Sequence, residues 1–458
     1  MESPYLNEML ERELNSSIYE LKFCKMPLWR IFRSYTRYYY LNSKENFIKN
    51  TFSSNKKSIL IKNFVISLFQ IIGLLIKRPH KNLVFLAFPR MYKIGDSLID
   101  KISDPVFFSI KNSVSGSISF NFLYDNYSNV DYKKNDNHYS LDAPFILAHC
   151  LAFVITPIIF VVYGLKVFKL YKIARRIFEL PIIFFFKYIY WLSEFICNKF
   201  AAKIIFRCLK SKNLVVVNRD NYLPYLLTAK QCNMRIIELQ HGVTHGANPL
   251  YSGPYDGTID PDYFCTFGKA WFGHQFAIPL DRIRNIGWAY NEYVKEILGQ
   301  HKNALQNHIL IISSPEISDK IISATIELAI RFPDYRFAIR LHPHEELLAE
   351  QITQINKCGN IYIQDKSIES TLAISQFEYV IGENSSVVYE ALSMGKNVAR
   401  FNYGGLLPSR VEKIENDGFF YLFSPDDFAY YIAGTKNSVS LNDYYSPYDA
   451  SLLSSLII

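Results

Sequence analysis

The chain has 458 residues, of which 49% are hydrophobic and 20% charged, and its formal net charge at pH 7 is +8. This length exceeds one ordinary domain and the composition is that of a globular protein, so we predict two or three folded domains and exclude a disordered chain. The basic excess is mild, its runs are short and no DNA- or RNA-binding signature accompanies it, which argues against nucleic-acid binding and suits an anionic membrane surface or a phosphate-bearing substrate.

The cysteines and the N-terminus indicate the compartment. The seven cysteines are scattered singly, mostly in apolar stretches, and no two form a CxxC pair, so we interpret them as reduced, buried thiols of a cytoplasmic protein. The opening residues MESPYLNEMLERELN place no basic region before an apolar core, so no secretory signal is expected.

The first elements in chain order are helical. Residues 1–80 are predicted to form a helical region of basic and aromatic character, as in PLWRIFRSYTRYYYL. The run NLVFLAF (82–88) is predicted to be a first strand, and an α/β domain is predicted over 81–280. The polar stretch 125–140 is predicted to be a loop.

An apolar helical insertion is predicted near 143–209. Residues 143–165 contain no Asp, Glu, Lys or Arg, a length that can span a bilayer, whereas Pro157 and two polar side chains interrupt the run. The pattern favours buried or surface-lying helices; the alternative with a function is an aromatic and basic face in the membrane interface beside a lipid-linked substrate. Both interpretations predict an enzyme docked on the inner face of the cytoplasmic membrane rather than a multispanning one.

From residue 213 onward, short β-branched or aromatic runs alternate with helical segments. The runs predicted to be strands are NLVVVN (213–218), RIIEL (235–239), DYFCTF (262–267), HILIIS (308–313), RFAIRL (336–341), NIYIQ (360–364), YVIG (379–382) and NVARF (397–401). This alternation is typical of doubly wound parallel sheets, so the fold class is α/β. The last five strands predict a nucleotide-binding type of domain over 281–435, followed by a tail over 436–458.

Polar residues gather at the predicted strand ends, where α/β proteins bind ligands. In ELQHGVTHG, Gly242 permits a backbone turn that presents His241 to a cleft, and an imidazole there suits a general base. His245 follows on the same loop. The glycines break the helical spacing that a two-histidine metal site needs, so no metal is expected.

Two further strand ends carry groups for an anion. In RLHPHEE, Pro343 ends the strand RFAIRL and His342 leaves the sheet, with Arg340 and His344 beside it. In GENSSVVYEAL, the start of a predicted helix offers free N–H groups and hydroxyls to a phosphate. Glu390 lies four residues after Ser386, on the same helix face, and can accept both hydroxyls of a ribose. The alternative is an ordinary capped helix with a surface glutamate.

The chain resembles bacterial GT-B glycosyltransferases of capsule and lipopolysaccharide O-antigen synthesis. The stretches that carry this resemblance are QHG, HP and NSSVVYEALSMGKNV, with YFCTFGKAWFG and IPLDRIRNIGW near the domain junction. The residues are most similar to those of capsular Kdo transferases and bacterial sialyltransferases, which use CMP-sugars. They are more distantly similar to those of teichoic-acid glycerophosphotransferases, which use CDP-polyols. The resemblance covers residues 213–410 and implies two Rossmann-like doubly wound domains facing a cleft. The sequence pattern adds extra N-terminal and inserted apolar helices to this fold.

The resemblance also implies an activity and its residues. It implies a metal-independent glycosyltransferase without a cofactor, which takes a nucleotide-sugar donor, with a CMP-sugar favoured, and a lipid-linked or polysaccharide acceptor. The residues implied to hold the donor nucleotide and phosphate are Arg340, His342, Asn384, Ser385, Ser386 and Glu390. The residues implied to be catalytic are His241 and His342, and those on the acceptor side are Gln240, Gly242 and His245.

Three alternatives stay open at this point. Polyol-phosphate transfer is disfavoured because the polyol transferases carry an aspartate and a tryptophan where this chain has GENSS and ELQHG. A nucleotide-sugar epimerase of the same fold would turn over the donor without an acceptor. A non-catalytic, membrane-associated scaffold of polysaccharide assembly would keep the fold without binding a nucleotide.

Overall fold

The computed structural model describes most of the chain. The described residues are 4–23, 26–45, 57–88, 91–94, 97–110, 114, 116–122, 137–242, 244, 251–271, 277–300, 305–342, 345–366, 368–383, 385–403, 419–434 and 441–457. The six cysteines among them are free thiols, but the prediction that they are buried is correct for Cys265 alone of these six, since Cys150 is exposed and the other four are partly exposed.

Helices and strands alternate over most of this length. The helices are α1 (Pro4–Leu14), α2 (Leu28–Glu45), α3 (Lys57–Lys77), α4 (Ser103–Ile110), α5 (Asp142–Phe178), α6 (Ile183–Leu209), α7 (Leu223–Gln231), α8 (Asn291–Gln300), α9 (Ser318–Arg331), α10 (Ala349–Lys357), α11 (Ser370–Ser375), α12 (Ser386–Ser393), α13 (Asp426–Ile432), α14 (Leu441–Tyr444) and α15 (Ala450–Ser455). The strands are β1 (Lys22–Phe23), β2 (Met26–Pro27), β3 (Leu83–Leu86), β4 (Met91–Ile94), β5 (Ser97–Asp100), β6 (Ser117–Asn121), β7 (His138–Ser140), β8 (Asn213–Val217), β9 (Arg235–Leu239), β10 (Tyr263–Thr266), β11 (Ile283–Asn285), β12 (His308–Ile312), β13 (Arg336–Arg340), β14 (Ile361–Ile363), β15 (Tyr379–Gly382), β16 (Asn397–Phe401) and β17 (Phe420–Leu422).

The N-terminal half is built on a sheet of seven strands in the order β11–β10–β9–β8–β3–β6–β7. Every neighbouring pair is parallel. The strands of a parallel sheet with helices on both faces are buried on both sides, which explains why β8 reads NLVVV without polar alternation. The strand order reverses between β3 and β8, as in a doubly wound fold.

The C-terminal half repeats this architecture with six parallel strands in the order β14–β13–β12–β15–β16–β17. Counted from β12, the order is 3-2-1-4-5-6, and the reversal lies between β12 and β15. Apolar residues from both sheets share one buried cluster, to which the C-terminal residues 444–457 also contribute.

Every run that the sequence predicts as a strand contains one, and RIIEL, YVIG and NVARF match β9, β15 and β16 residue for residue. The prediction of a loop over 125–140 is wrong at its end, because β7 pairs there with β6 at the sheet edge. Residues 123–136 lie outside the described part. The C-terminal sheet also has a sixth strand, β17, which the sequence analysis did not identify.

The apolar insertion forms two long helices, α5 and α6, packed against each other. Helix α5 has 37 residues, about 55 Å at 1.5 Å per residue, and Pro157 does not end it. One side of α5 is buried, and the other exposes large apolar side chains between Leu147 and Leu165. Within the described residues, α3 and α5 are the helices long and apolar enough to cross a membrane.

The C-terminal residues cross back to the N-terminal half. The indole Nε1 of Trp271 donates to the carbonyl of Tyr444 at 2.6 Å, and Arg235 donates to the carbonyl of Leu456 at 3.0 Å. Gly287 has φ +77°, and a side chain there would lie 2.1 Å from the carbonyl oxygen of Pro447. The predicted tail therefore contains a segment that packs on the other half and ties the two sheets together.

Candidate functional site

The loops after the strands carry the polar side chains of both halves. In the N-terminal half these loops follow β3, β8 and β9, and in the C-terminal half they follow β12, β13 and β15. Because ligands of doubly wound folds bind beside the point where the strand order reverses, these loops form the candidate site.

Gln240 shapes the turn after β9. Its side chain is fully buried, its Nε2 donates to the carbonyl of Gly242 at 2.8 Å, and its Oε1 accepts from the backbone N–H of Phe267 at 2.9 Å. The QHG turn is therefore fixed to the end of β10. Gln240 supports the neighbouring histidine through the backbone.

His241 is partly exposed at this turn, and its Nδ1 lies 2.7 Å from the hydroxyl of Tyr251. Its ring also contacts Phe88, which follows β3, edge to face with 5.9 Å between centroids. The imidazole is thus held by two side chains from different loops, in the place where the sequence analysis expects a base.

A buried charge cluster lies beneath this turn. Arg219, after β8, pairs with Glu238 at 2.6 Å and with Asp260 at 3.1 Å. Burial alone would lower the pKa of Arg219, but the two carboxylates raise it, so the guanidinium stays charged. Burial raises the pKa of Glu238, and Arg219 opposes this shift. Arg219 also lies over the ring of Tyr251, 5.7 Å from its centroid.

The turn after β13 is organised by a residue that the sequence analysis did not single out. Glu345 is fully buried and accepts hydrogen bonds from the hydroxyls of Ser313 and Ser318, both at 2.6 Å, and from the backbone N–H of His342 at 3.0 Å. His342 itself is exposed. Arg340 donates to the carbonyl of Ile368 at 2.6 Å, so its guanidinium braces a loop of the same half.

Helix α12 begins at Ser386, and Ser385 is its N-cap. The Ser385 hydroxyl accepts from the backbone N–H of Val387 at 3.3 Å, and Ser385 and Ser386 are both partly exposed. The helix N-terminus therefore lies open at the carboxyl edge of the sheet, beside the reversal point between β12 and β15.

Glu390 of α12 is buried, so the alternative of a surface glutamate is wrong. Its carboxylate pairs with the ammonium of Lys101, which follows β5 in the N-terminal half. The same ammonium lies 3.1 Å from Thr371 Oγ1 and 3.6 Å from Glu369. Burial alone would raise the pKa of Glu369, but Lys101 and backbone N–H groups lower it. A cation of one half is thus shared by two carboxylates of the other.

Three predicted site residues, His245, Asn384 and His344, lie outside the described residues, so their placement stays a prediction. The residues that the sequence analysis missed are Tyr251, Glu345 and Lys101. Tyr251 and Lys101 belong to no recognisable motif. Glu345 lies within RLHPHEE, but it bonds to Ser313 and Ser318, which only the fold brings near. Within the described ranges, no group of three or more His, Cys, Asp or Glu side chains could hold a metal ion.

No protein-family model and no curated protein sequence matches this chain. Among solved structures, it is similar to UDP-GlcNAc 2-epimerase from Neisseria meningitidis bound to UDP-GlcNAc. That likeness has a TM-score of 0.50 and 12% identity, over 82% of this chain and 98% of the epimerase.

Two other structures align at lower TM-scores. MurG from Acinetobacter baumannii aligns with a TM-score of 0.44 and 11% identity, over 82% of this chain and 99% of that chain. The wall teichoic acid polymerase TagF aligns with a TM-score of 0.41 and 11% identity, over 88% and 92%. At these identities the likeness concerns the fold alone. The two parallel sheets and the likeness to the epimerase structure show that this chain has the GT-B fold, with two Rossmann-like domains facing a cleft.

Proposed function

We propose that this protein is a metal-independent glycosyltransferase that moves a sugar from a nucleotide donor to a growing, lipid-linked cell-surface polysaccharide. The observation that carries the proposal is the complementary chemistry at the carboxyl edges of the two sheets. One edge presents an oriented histidine, and the other presents an open helix N-terminus with a buried carboxylate on the same helix.

The donor binds on the C-terminal half. The N–H groups at the start of α12, with the hydroxyls of Ser385 and Ser386, suit a nucleotide phosphate because a helix N-terminus favours negative charge. His342 is exposed beside the adjacent strand end and adds a donor to the leaving phosphate. Arg340 and Asn384 complete the predicted donor side, and a CMP-sugar is the favoured donor.

Glu390 takes the ribose of the donor. In the structure its carboxylate is held by Lys101, so it accepts the ribose hydroxyls beside this cation or after leaving it. Glu390→Gln keeps the shape and removes the charge. We expect this change to weaken nucleotide binding by about tenfold or more, because a charged acceptor contributes roughly 1.5–3 kcal/mol. Calorimetry with the nucleotide alone measures this.

The acceptor binds on the N-terminal half. In an inverting transfer, His241 takes the proton of the acceptor hydroxyl as the oxygen bonds to the anomeric carbon and the bond to the donor phosphate breaks. The helix N-terminus then stabilises the phosphate charge as it develops. Gln240, Gly242 and His245 form the acceptor side of the cleft.

The apolar face of α5, defined as the exposed apolar residues between Leu147 and Leu165, docks on the inner face of the cytoplasmic membrane. Only 17% of the most apolar 18-residue segment of this helix is buried inside the protein. The helix continues into a basic stretch over residues 166–176, and the five lysines and arginines of this stretch are exposed. An apolar face next to cations suits an anionic lipid surface, where a lipid-linked acceptor would be held.

The fold likeness to UDP-GlcNAc 2-epimerase supports a second candidate function, that of a nucleotide-sugar epimerase. The two activities differ in their need for an acceptor. Incubation with a nucleotide-sugar alone separates them, because an epimerase converts the donor under these conditions and a transferase does not. Absence of any nucleotide binding in calorimetry would instead support a non-catalytic scaffold.

A further inference from the structure

Tyr251 lies at the start of the described loop that leads into β10, and its ring is almost completely buried. The ring packs on Phe264 of β10, with 5.0 Å between centroids. The hydroxyl therefore projects from a fixed ring to a point 2.7 Å from Nδ1 of His241. A hydrogen bond to a rigid partner fixes the orientation of an imidazole, and the role of the hydroxyl as donor or acceptor selects the tautomer.

The N-terminal helices, which the family resemblance does not cover, hold this loop in place. Arg33 of α2 donates to the carbonyl of Ser252 at 2.8 Å, although the two residues are 219 positions apart. Arg30, one helical turn earlier, donates to the carbonyl of Pro254 at 2.8 Å and pairs with Asp260 at 2.9 Å. Both guanidinium groups are buried, so these contacts are shielded from water.

Arg30 and Arg33 thus form a clamp on this loop, and the clamp is anchored in α1. Glu13 is fully buried and pairs with Arg33 at 2.7 Å, and it also accepts from the hydroxyl of Tyr19 at 2.6 Å. Gly253, between the two clamped carbonyls, has φ +100°, and a side chain there would lie 2.7 Å from the Tyr19 hydroxyl. The loop thus follows a path that the N-terminal helices define.

We propose that Tyr251 is a positioning residue for His241 and that α1 and α2 form a buried clamp that holds it there. The role of the histidine rests on the proposed function. When the hydroxyl of Tyr251 accepts from Nδ1–H, Nε2 is the nitrogen that carries the lone pair and takes the acceptor proton. Once protonated, the imidazolium donates from both nitrogens, so the hydroxyl of Tyr251 accepts in the charged state as well.

The surroundings of the pair define the expected pH effect. The hydroxyl of Tyr251 is a titratable group bonded to the imidazole, and Arg219, which pairs with Glu238 and Asp260, lies over the ring of Tyr251. Arg219, Glu238 and Asp260 pair with one another and with Arg30, and Tyr251→Phe leaves these charges in place while it removes the hydroxyl. Its loss removes an acceptor of the charged form and lowers the pKa of His241.

The test compares Tyr251→Phe with Tyr255→Phe, a change on the same loop that removes a hydroxyl bonded to Arg282. We expect Tyr251→Phe to lower kcat by roughly 10- to 100-fold with KM unchanged, a part of what a general base contributes. The acidic limb of the pH profile should move to lower pH. In the free protein, the ¹⁵N signals of His241 should show a mixture of tautomers. Signals and kcat equal to those of Tyr255→Phe would overturn the role of Tyr251.

The clamp has its own test. Glu13→Gln/Arg33→Met removes both charges of the buried pair and so leaves neither one uncompensated; its matched control is Glu8→Gln/Arg12→Met, an exposed pair of α1. We expect the buried double variant, checked for folding by circular dichroism, to shift the His241 signals in the direction of Tyr251→Phe. Unchanged signals in a folded variant would overturn the clamp. If the wild type transfers no sugar, the proposed function fails, whereas these signals still test the pair.

Discussion

At the scale of single residues, His241 is the group on which the proposed chemistry depends. Its ring is fixed on one side by Tyr251 and on the other by Phe88, so its position is set before any substrate arrives. The donor residues lie in the other half of the molecule. Loss of the imidazole should therefore affect the transfer step and leave donor binding intact.

The substitution His241→Ala tests this separation. We expect sugar transfer to fall by roughly 10²- to 10⁴-fold, the usual contribution of a general base, while the nucleotide Kd stays within about twofold. Product formation and calorimetry on the same preparation measure the two effects. Loss of nucleotide binding would move His241 to the donor site.

Lys101 provides a second test at this scale, of stability. Lys101→Met leaves Glu369 and Glu390 buried without their cation, so we expect the free energy of unfolding to fall by about 3–5 kcal/mol. Lys295→Met removes an exposed pair with Glu292 and should cost less than about 1 kcal/mol. Denaturant unfolding of the two variants decides between a buried and a surface ion pair.

The pH dependence of this loss has a definite sign. In the wild type the pKa of Glu369 is lowered from 4.5, so its ionised form contributes stability at neutral pH that is lost as the pH falls. In Lys101→Met the cation no longer lowers this pKa, so the pKa of Glu369 lies higher than in the wild type. The deficit of the variant should therefore shrink as the pH falls from about 7 towards about 4, and a constant deficit would contradict the assignment.

At the scale of elements, burial decides which strands can be predicted. The runs RIIEL and YVIG are buried along almost their whole length, and a short apolar run bounded by turns identifies such a strand. Strand β6 has the sequence SISFN, whose polar residues do not resemble a buried strand. Strand β7 has the sequence HYS, which is too short to be recognised. The position of β6 follows from its pairing with β3, and that of β7 from its pairing with β6, and a single run does not contain this information.

The exposed face of α5 supports a prediction at this scale. Val161 and Leu165 are 82% and 89% exposed, so Val161→Glu/Leu165→Glu should leave the fold intact while reducing binding to anionic vesicles by at least about tenfold. Ile330→Glu, on a helix of the C-terminal half and 71% exposed, is the matched control and should bind as the wild type does. Equal binding of all three proteins in vesicle co-sedimentation would contradict membrane docking through the apolar face of α5.

At the scale of the whole molecule, two parallel sheets with the same reversal of strand order face each other and are tied by the C-terminal residues. The alternation of strands and helices is enough to predict this architecture. The sequence also places His241 at a strand end, Ser385 at a helix start and Glu390 one turn into that helix. The contacts of Tyr251 and Lys101 could not be predicted, because each depends on how distant segments meet in the folded chain.

The most direct test of the central claim follows a labelled sugar. The protein is incubated with nucleotide-sugars labelled in the sugar, based on CMP, CDP, UDP or GDP, with and without a lipid-linked glycan fraction. We predict that label from one nucleotide class, with CMP favoured, enters the lipid fraction, and that the donor is not consumed without that fraction. Conversion of the donor in the absence of any acceptor, with no label in the lipid, would contradict glycosyl transfer.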